Sequence, residues 1–395
     1  MFAFKSLQRL TMELTIKKII PFLSLALSLS VSTLQAQESV FDATPKMLRN
    51  GEVSTILAEF SEQPQTLAQI YVNMGRPDKA HDLMERFSSA SYCDVEPEFE
   101  KVSGKALAEE LLADQRILMI NENHFNPAAR TLALNWLPWL KARGITHVGF
   151  EAFEPDAQPT EAFYIQEPMM SNLFQEATRL GLNVFGYEAE TPAPKGAGFV
   201  ERFEFRDKQQ AENIVTRIDD APADARFLIF AGWGYIAEAP LTGPNLEPYR
   251  VMRDFLNNRY GYETLSIDTT ACSFEGRNKD PLATYAYRHD DNIINVGSVQ
   301  NVDIQLRLPM APADDPSYFR QLLGEPYLPN IDKWPENASV ILQAYHTETG
   351  FPADRVLSEA GQKLPLYLKS GSYHVTLHDL DGNLLWDKRI NLRKK

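Results

Sequence analysis

The chain has little positive charge and almost no cysteine. Its 395 residues include 39 Lys and Arg against 53 Asp and Glu, which gives a formal net charge of −14. An acidic chain repels phosphate backbones and anionic headgroups, so we expect no nucleic-acid partner and no anionic membrane partner. The composition also lacks a collagen-like or disordered bias. The two cysteines, Cys93 and Cys272, permit one disulfide, and the alternative is two buried thiols.

Long apolar runs are missing as well, except near the N-terminus. Residues 19–30 form an apolar run behind a pair of lysines, and the run is too short to span a membrane as a stable helix. This pattern is typical of a secretory signal peptide with cleavage after Ala36, and Met12 is an alternative start. We therefore predict a signal peptide over residues 1–36 and an exported, periplasmic protein without stable membrane insertion after cleavage. The alternative is an uncleaved N-terminal membrane anchor.

The rest of the chain divides into four segments with different patterns. Residues 37–104 predict a helical N-terminal region with one hairpin that resembles a single tetratricopeptide unit. Residues 105–272 alternate apolar strands with helices. Residues 273–335 are irregular and rich in Pro and Asp, which suits either a lid over the strand ends or a linker. Residues 336–395 predict a β-rich C-terminal module, with a hairpin turn signal at Asp381-Gly382-Asn383.

Repeated strand–helix units in the middle segment predict a parallel sheet that is covered by helices. The fold class is therefore α/β, with a mainly parallel sheet flanked by helices, an N-terminal helical hairpin and a small C-terminal antiparallel β module. The predicted strands of the sheet are 117–120, 148–150, 184–185, 227–231 and 265–267, the predicted helices are 128–143, 172–180, 205–218 and 248–260, and the predicted strands of the C-terminal module are 340–345, 364–368, 373–377 and 384–390.

Acidic, imidazole and phenol side chains follow four of the predicted strands. In open parallel sheets, ligands and chemistry gather beyond the carboxyl ends of the strands. Carboxylates that lie close together repel each other, and they are kept where they bind a cation, share a proton or polarise water. Four such strand exits at one edge therefore predict a functional site. The residues are Glu122 and His124, then Glu151, then Tyr187 and Glu188, and finally Tyr235.

Taken singly, each of these residues has a simpler structural explanation. A lone Glu after a strand usually caps a helix or faces solvent, and for Glu188 by itself this is the favoured explanation. Glu122 and His124 differ, because side chains two residues apart in an extended segment point to the same face. Together with Glu151 on a neighbouring strand, they are the main functional candidates.

The same residues resemble the motifs of a known superfamily. Ile120-Asn-Glu-Asn-His124-Phe-Asn-Pro127 is similar to the Gly-Glu-x-His-x-Asn-Pro signature of the ChaN-like and TIKI-like superfamily, which includes the erythromycin-esterase type. Phe150-Glu151 resembles its second acidic strand end, and Ala231-Gly232-Trp-Gly-Tyr235-Ile-Ala-Glu238 resembles its second Gly-x-x-His motif. Arg206-Asp207 with Ala211-Glu-Asn213 resembles a helix seen in relatives.

This resemblance covers roughly residues 105–270 and implies a fold and a site more than one reaction. TIKI-like members are similar to metal-dependent peptidases, esterase-like members use a His as general base on macrolactones, and ChaN-like members bind haem. The resemblance makes Glu122, His124 and Glu151 candidate ligands for Mn, Zn or Co, as well as candidate catalytic residues. It makes Arg206 and Tyr235 candidate catalytic residues, and Tyr235 also a candidate haem ligand. A site without a cofactor is the remaining alternative.

The sequence departs from the superfamily pattern at two positions. Asn121 stands where the first Gly is expected, and Asn tolerates a left-handed backbone better than most residues do. Tyr235 stands where the second His is expected. A neutral phenol is a poor ligand for zinc or manganese, whereas a phenolate binds ferric iron or haem. Tyr235 is therefore an iron or haem ligand, a hydrogen-bond donor to an oxyanion, or the mark of lost catalysis.

Three hypotheses of function follow from these residues. The first is a hydrolase of esters, lactones or peptides that acts on a small-molecule or peptide substrate, with or without a divalent metal. The second is a periplasmic protein that binds haem or iron through Tyr235. The third is a catalytically degenerate protein of the cell envelope that binds partners through its N-terminal and C-terminal regions. The sequence does not indicate the oligomeric state.

Overall fold

A computed structural model describes residues 43–85, 98–112, 115–243, 246–277, 279–295 and 301–393. The predicted signal peptide and Cys93 lie outside these ranges, so export and a Cys93–Cys272 disulfide stay predictions. Cys272 itself is buried. Within the described ranges, every helix is too short or too polar to cross a membrane.

The secondary structure begins with helices and ends with antiparallel strands. Residues 43–50 are helical. The further helices are α1 (Val53–Glu59), α2 (Pro64–Asn73), α3 (Pro77–Glu85), α4 (Gly104–Leu112), α5 (Ala128–Ala142), α6 (Pro168–Arg179), α7 (Phe199–Asp220) and the short α8 (Met252–Asp254). The strands are β1 (Glu100–Ser103), β2 (Ile117–Asn121), β3 (Ile145–Phe150), β4 (Asn183–Gly186), β5 (Arg226–Ala231), β6 (Leu241–Gly243), β7 (Leu246–Tyr249), β8 (Thr264–Asp268), β9 (Ser273–Glu275), β10 (Tyr285–His289), β11 (Asn292–Ile294), β12 (Ile304–Gln305), β13 (Leu308–Met310), β14 (Glu325–Tyr327), β15 (Val340–His346), β16 (Pro352–Ser358), β17 (Leu366–Leu368), β18 (Gly371–Asp379) and β19 (Leu384–Leu392).

Six of these strands form one parallel sheet in the order β12–β8–β2–β5–β3–β4. Every pair of neighbours in it is parallel, which confirms the predicted fold class. The five predicted apolar runs supply β2, β3, β4, β5 and β8. The edge strand β12 comes from the segment that was predicted to be irregular, so that segment also contributes to the sheet.

Helices cover both faces of the sheet, and the alternation of side chains along each strand decides which face a residue enters. On β2, Leu118 and Ile120 pack with the residues of α5. Ile117 and Met119 point the other way, into the core formed with α7. Side chains just after the end of a strand continue this alternation, so each of them lies on either the α5 side or the α7 side of the sheet.

Three helices differ from their predicted bounds. Helix α6 begins at Pro168 rather than at residue 172, because the Glu167 side chain accepts hydrogen bonds from the Met169 and Met170 amides and caps its start. Helix α7 is longer than predicted and spans Phe199–Asp220. The helix predicted over 248–260 was wrong in its first part, since Pro248 lies in β7, and α8 continues as a π-helical turn, Phe255–Arg259.

The C-terminal residues form the predicted antiparallel module, a four-stranded sheet in the order β16–β15–β18–β19. The predicted turn at Asp381–Asn383 connects β18 to β19, and the Asp379 carboxylate accepts hydrogen bonds from the Asp381 and Asn383 amides. The sequence did not predict β16. The N-terminal helices pack on this module, where Val53 and Ile56 of α1 contact Ile341 and Leu357. The domain boundaries and the role of residues 273–335 as lid or linker stay predictions.

Candidate functional site

The predicted site residues follow four strands that are neighbours in the sheet. Strands β2, β5, β3 and β4 lie side by side in that order, so their carboxyl ends form one continuous edge. The structure brings the predicted side chains at this edge together in two hydrogen-bonded groups. One contains Glu122 and His124, and the other contains Glu151, Glu188, Arg206 and Tyr235.

The first group is built on the α5 side of the sheet. Glu122 is almost completely buried, and its carboxylate receives the guanidinium of Arg130 from α5, with Arg130 Nη2 at 2.7 Å from Oε1 and Nε bonded to Oε2. His124 Nδ1 lies 2.8 Å from the same Oε1. Burial alone would raise the pKa of Glu122, but the charge of Arg130 and the hydrogen bonds from His124 and Arg130 outweigh it and lower the pKa to about 2. Glu122 is therefore ionised at neutral pH.

The ionised Glu122 decides which tautomer His124 adopts. A carboxylate can only accept hydrogen bonds, so Nδ1 of His124 must carry the proton, and neutral His124 presents a lone pair at Nε2. Nε2 has no hydrogen-bond partner within the described part of the chain, and the His124 side chain is 23% exposed. The ring is held against Tyr164, with 4.6 Å between the ring centroids. His124 is thus fixed on one side and open on the other.

The second group is built around Arg206, which reaches the sheet edge from α7. Its Nη2 lies 2.7 Å from Glu151 Oε1, and its Nε lies 2.8 Å from Glu188 Oε1. Nη1 donates to the Tyr235 hydroxyl. Burial raises the pKa of Glu151; the Arg206 charge opposes that rise, and the Glu188 charge adds to it. One guanidinium therefore serves two carboxylates and a phenol.

Gly232 closes the space between the two groups. Its amide donates a hydrogen bond to Glu151 Oε2. A Cβ at this position would lie 2.8 Å from Glu151 Oε2, 3.0 Å from the Tyr235 ring and 3.1 Å from His124 Cε1. Gly232, the first glycine of the Gly-Trp-Gly-Tyr motif, is therefore required because both hydrogen-bonded groups approach its backbone.

Several residues of the site were not predicted from the sequence. Arg130 and Tyr164 contact the predicted residues directly, and Glu167 lies 3.2 Å from Arg130 Nη1. A signal for Arg130 was present, because residues 133, 134 and 137 lie on the same helical face as Arg130 and are apolar and buried, and an Arg on such a face needs a buried acid. Tyr164 lies in an irregular segment with a short 3₁₀ turn, where no periodic pattern marks it.

Asn121 differs from the expectation of a left-handed turn. The only non-glycine residue with positive φ in the described ranges is Asp290, so Asn121 ends β2 without that conformation. Its amide instead donates to Asp268 Oδ1 at 2.9 Å and to the Trp233 carbonyl at 3.0 Å. Its Oδ1 accepts from the Thr269 amide at 2.7 Å. Asn121 therefore ties together the ends of β2, β5 and β8.

The three predicted metal ligands do not fit a divalent cation in this arrangement. All four carboxylate oxygens of Glu122 and Glu151 accept hydrogen bonds from protein donors, and each carboxylate faces a guanidinium. The residues that the structure describes contain no group of three or more His, Cys, Asp and Glu side chains that could hold a metal ion. The cavity beside Glu122, His124, Glu151 and Tyr164 has a volume of about 10 Å³, which is room for about one water molecule.

No protein-family model matches the chain, and no curated protein matches it. Parts of it are similar to solved structures of other proteins. RRSP, a MARTX toxin effector domain from Vibrio vulnificus, is 15% identical with a TM-score of 0.32, over 40% of this chain and 34% of that chain. The type III effector HopBA1 is 11% identical with a TM-score of 0.33, over 55% of this chain and 100% of that chain. ChaN of Campylobacter jejuni, a haem-binding protein, is 10% identical with a TM-score of 0.34, over 52% of this chain and 92% of that chain.

These likenesses are weak. The chain spans about a third of the length of the toxin structure, 34%. At TM-scores of 0.34 and lower, the comparisons carry no argument about function. The sequence motifs therefore remain a resemblance to the ChaN-like and TIKI-like superfamily.

Proposed function

We propose that the protein is a hydrolase in which His124 is the general base. The observation that carries this proposal is the hydrogen bond from His124 Nδ1 to the ionised Glu122, which leaves Nε2 open to the site. The same relation between an acid and an imidazole orients the catalytic base of many hydrolases. Arg130 holds both oxygens of Glu122, so the acid that orients His124 is itself fixed by a buried cation.

The reaction would begin with a water molecule that donates a hydrogen bond to His124 Nε2. As the water oxygen bonds to the carbonyl carbon of an ester, lactone or peptide, its proton passes to Nε2, and Glu122 stabilises the imidazolium that forms. The imidazolium then returns the proton to the leaving oxygen or nitrogen as the bond to carbon breaks. Such a positioned general base contributes roughly 10²–10⁴-fold to the rate.

Tyr235 and Arg206 would stabilise the negative charge that develops on the carbonyl oxygen. The Tyr235 oxygen accepts a hydrogen bond from Arg206, so its own hydroxyl proton is directed away from Arg206 and is available to the substrate. Glu151 and Glu188 fix the position of the guanidinium. A preorganised donor of this kind is worth more than a solvent donor because it does not have to reorient during the reaction.

The proposal is tested with a panel of ester, lactone and peptide substrates and the purified protein. We expect turnover of at least one class, with a kcat that falls by roughly 10²–10⁴-fold in His124→Gln. The matched control is His289→Gln, since His289 is an exposed histidine outside the site, and it should leave kcat unchanged. Activity that survives in His124→Gln would refute His124 as the base. A folded protein that turns over none of the panel would favour a degenerate envelope protein.

A second function, haem or iron binding, is favoured by one observation at Tyr235. The Tyr235 side chain is half-buried at the sheet edge, and a tyrosine oxygen is an axial ligand of haem iron in some proteins. If this function is correct, haemin should produce a saturable Soret band that disappears in Tyr235→Phe and persists in Glu122→Gln. A band of equal intensity in Tyr235→Phe would exclude Tyr235 as the ligand.

A further inference from the structure

Tyr164 lies in the strand-end site but has no role in the hydrolysis proposed for His124. Its ring packs on the His124 ring, with 4.6 Å between the ring centroids and 36° between the ring planes. Together with Glu122, His124 and Glu151, it lines the cavity of about 10 Å³ at the sheet edge. A polar side chain in direct contact with the proposed general base is a candidate for a part in the reaction.

The position of Tyr164 is fixed by the residues on either side of it. Tyr164 begins the 3₁₀ turn Tyr164–Gln166. Phe163, just before it, is buried in the apolar cluster that the N-terminal helices share with the C-terminal module, and the Phe163 and Tyr164 rings meet edge to face at 5.3 Å. The carbonyl oxygen of Gln166 accepts a hydrogen bond from Arg355 Nη1 at 3.1 Å. The Tyr164 ring is therefore held against His124 by packing before it and by a hydrogen bond after it.

The Tyr164 hydroxyl has no hydrogen-bond partner in the part of the chain that the structure describes. Burial and the charges of the site residues, Glu151 first among them, are the influences that act on it. Because those charges all belong to the strand-end site, the hydroxyl end of the ring faces that site. The fully buried polar atoms that lack a partner in the described ranges do not include this hydroxyl, so a water molecule can reach it.

This hydroxyl is a hydrogen-bond donor at neutral pH. A tyrosine in water ionises near pH 10, at about the value of a free phenol. Burial raises the pKa of Tyr164 further, the Glu151 charge adds to the rise, and the Arg206 charge opposes it. Tyr164 therefore keeps its proton and can share it with an oxygen atom in the cavity.

Two side-chain atoms at the cavity are left to bind a water molecule. A buried water needs two to four polar partners and roughly 10–15 Å³ of space. The four carboxylate oxygens of Glu122 and Glu151 already accept hydrogen bonds from protein donors, and the remaining side chains at the cavity are apolar. His124 Nε2 can accept a hydrogen bond, and the Tyr164 hydroxyl can donate one. These two atoms are complementary to a single water molecule.

We propose that Tyr164 is a further catalytic residue of the hydrolase, and that its hydroxyl holds the attacking water in place on His124 Nε2. The inference rests on the proposed hydrolase function. The water donates one hydrogen to Nε2 and accepts a hydrogen bond from Tyr164, which leaves its second lone pair for the carbonyl carbon. As the bond to carbon forms, a proton passes from the water to Nε2, and Tyr164 keeps its own proton throughout. A water held by two groups has less orientational freedom to lose in the transition state than a water held by one.

The kinetic test compares Tyr164→Phe with the wild type on the substrate class that the protein hydrolyses. The phenylalanine ring keeps the contact with His124 and removes only a hydroxyl that has no partner in the described ranges, so the midpoint of urea unfolding should stay unchanged. We expect kcat to fall roughly tenfold with KM unchanged, because the water takes part only in the chemical step. The matched control is Tyr327→Phe, since Tyr327 is a half-buried tyrosine of the C-terminal module, and it should keep the wild-type kcat.

A structural test of the same inference does not depend on activity. A high-resolution crystal structure of the wild type should show a water oxygen within about 3.2 Å of both His124 Nε2 and the Tyr164 hydroxyl, and Tyr164→Phe should lose or displace that water. The role of Tyr164 is overturned, while the hydrolase stands, if kcat falls in His124→Gln but not in Tyr164→Phe, or if no water bridges the two atoms. A wild type without turnover refutes the hydrolase and, with it, the catalytic role of Tyr164.

Discussion

The ion pair of Glu122 with Arg130 should contribute substantially to stability. Glu122 is 2% exposed, so solvent screens its interactions little. The pKa of its carboxyl falls from 4.5 to about 2, and at roughly 1.4 kcal/mol per pH unit this fall corresponds to on the order of 3 kcal/mol. Glu122→Gln keeps the shape, removes the charge, and leaves Glu167 as the remaining acidic partner of Arg130. We therefore expect the variant to lose an unfolding free energy of that size at neutral pH.

The loss should also depend on pH in a defined direction. Because folding lowers the pKa of Glu122, the folded protein binds fewer protons than the unfolded chain between pH 4.5 and about pH 2. The contribution of Glu122 is complete above this interval and disappears as the pH falls through it. Glu122→Gln cannot titrate at this position. The difference in unfolding free energy between wild type and variant should therefore shrink on acidification below pH 4.5.

Urea unfolding at neutral pH and at steps down through the acidic range measures both effects. Trp136 and Trp139 lie on α5 together with Arg130, so their fluorescence reports on the element that the ion pair anchors. The control is Glu176→Gln, because Glu176 pairs with the exposed Arg179 on a helix surface, where ion pairs contribute little. A Glu122→Gln variant as stable as the wild type would show that the ion pair does not stabilise the fold. A difference that stays constant as the pH falls would show that Glu122 does not titrate with a lowered pKa.

Two glycines allow further predictions. Gly232→Ala places a methyl group 2.8 Å from Glu151 Oε2, so the rate of hydrolysis should fall at least about tenfold while the circular dichroism spectrum is retained. The control is Gly234→Ala, which should keep its activity because its nearest new contact is at 3.5 Å. Equal rates in both variants would contradict the assigned geometry. Gly382 has a φ of 89° in the β18–β19 turn, a backbone conformation that an alanine adopts only with strain. Gly382→Ala should therefore lower the unfolding free energy in a urea titration by about 1 kcal/mol. An unchanged urea midpoint would show that the turn adapts.

Much of the central fold could be predicted because its strands are short, apolar and separated by amphipathic helices. The strands that the sequence pattern did not predict show where such a pattern is insufficient. Strand β16 contains Asp354 and Arg355, which resemble loop residues in a sequence but are fully buried. Asp354 accepts two hydrogen bonds from Arg320, at 2.9 and 2.6 Å, and Arg355 donates to Gln343 at 2.6 Å. Their burial depends on partners distant in sequence, which no local pattern reveals.

The site shows the same division between local and distant information. Glu122, His124 and Glu151 could be predicted because each directly follows an apolar strand, and a parallel sheet places such residues at one edge. The identity of their partners could not be predicted in this way. Arg130 reaches Glu122 from α5, and Arg206 reaches Glu151 from α7, so the pairing depends on which face of the sheet each helix covers. Because each carboxylate is paired with an arginine, the site holds fixed carboxylates and not the metal ligands that the motifs suggested.

The two carboxylates nearest His124 are placed in opposite electrostatic conditions. Glu122 shares its site with a buried guanidinium that bonds both of its oxygens, and its pKa falls to about 2. Glu151 shares one guanidinium with Glu188, and burial together with that second carboxylate raises its pKa. Of these two carboxylates, Glu151 therefore takes up a proton before Glu122 as the pH falls. Environments that separate the pKa values of two carboxylates are typical of acid–base sites. In the proposed hydrolase, Glu122 accordingly keeps its charge and orients His124, while Glu151 is the more easily protonated of the two carboxylates.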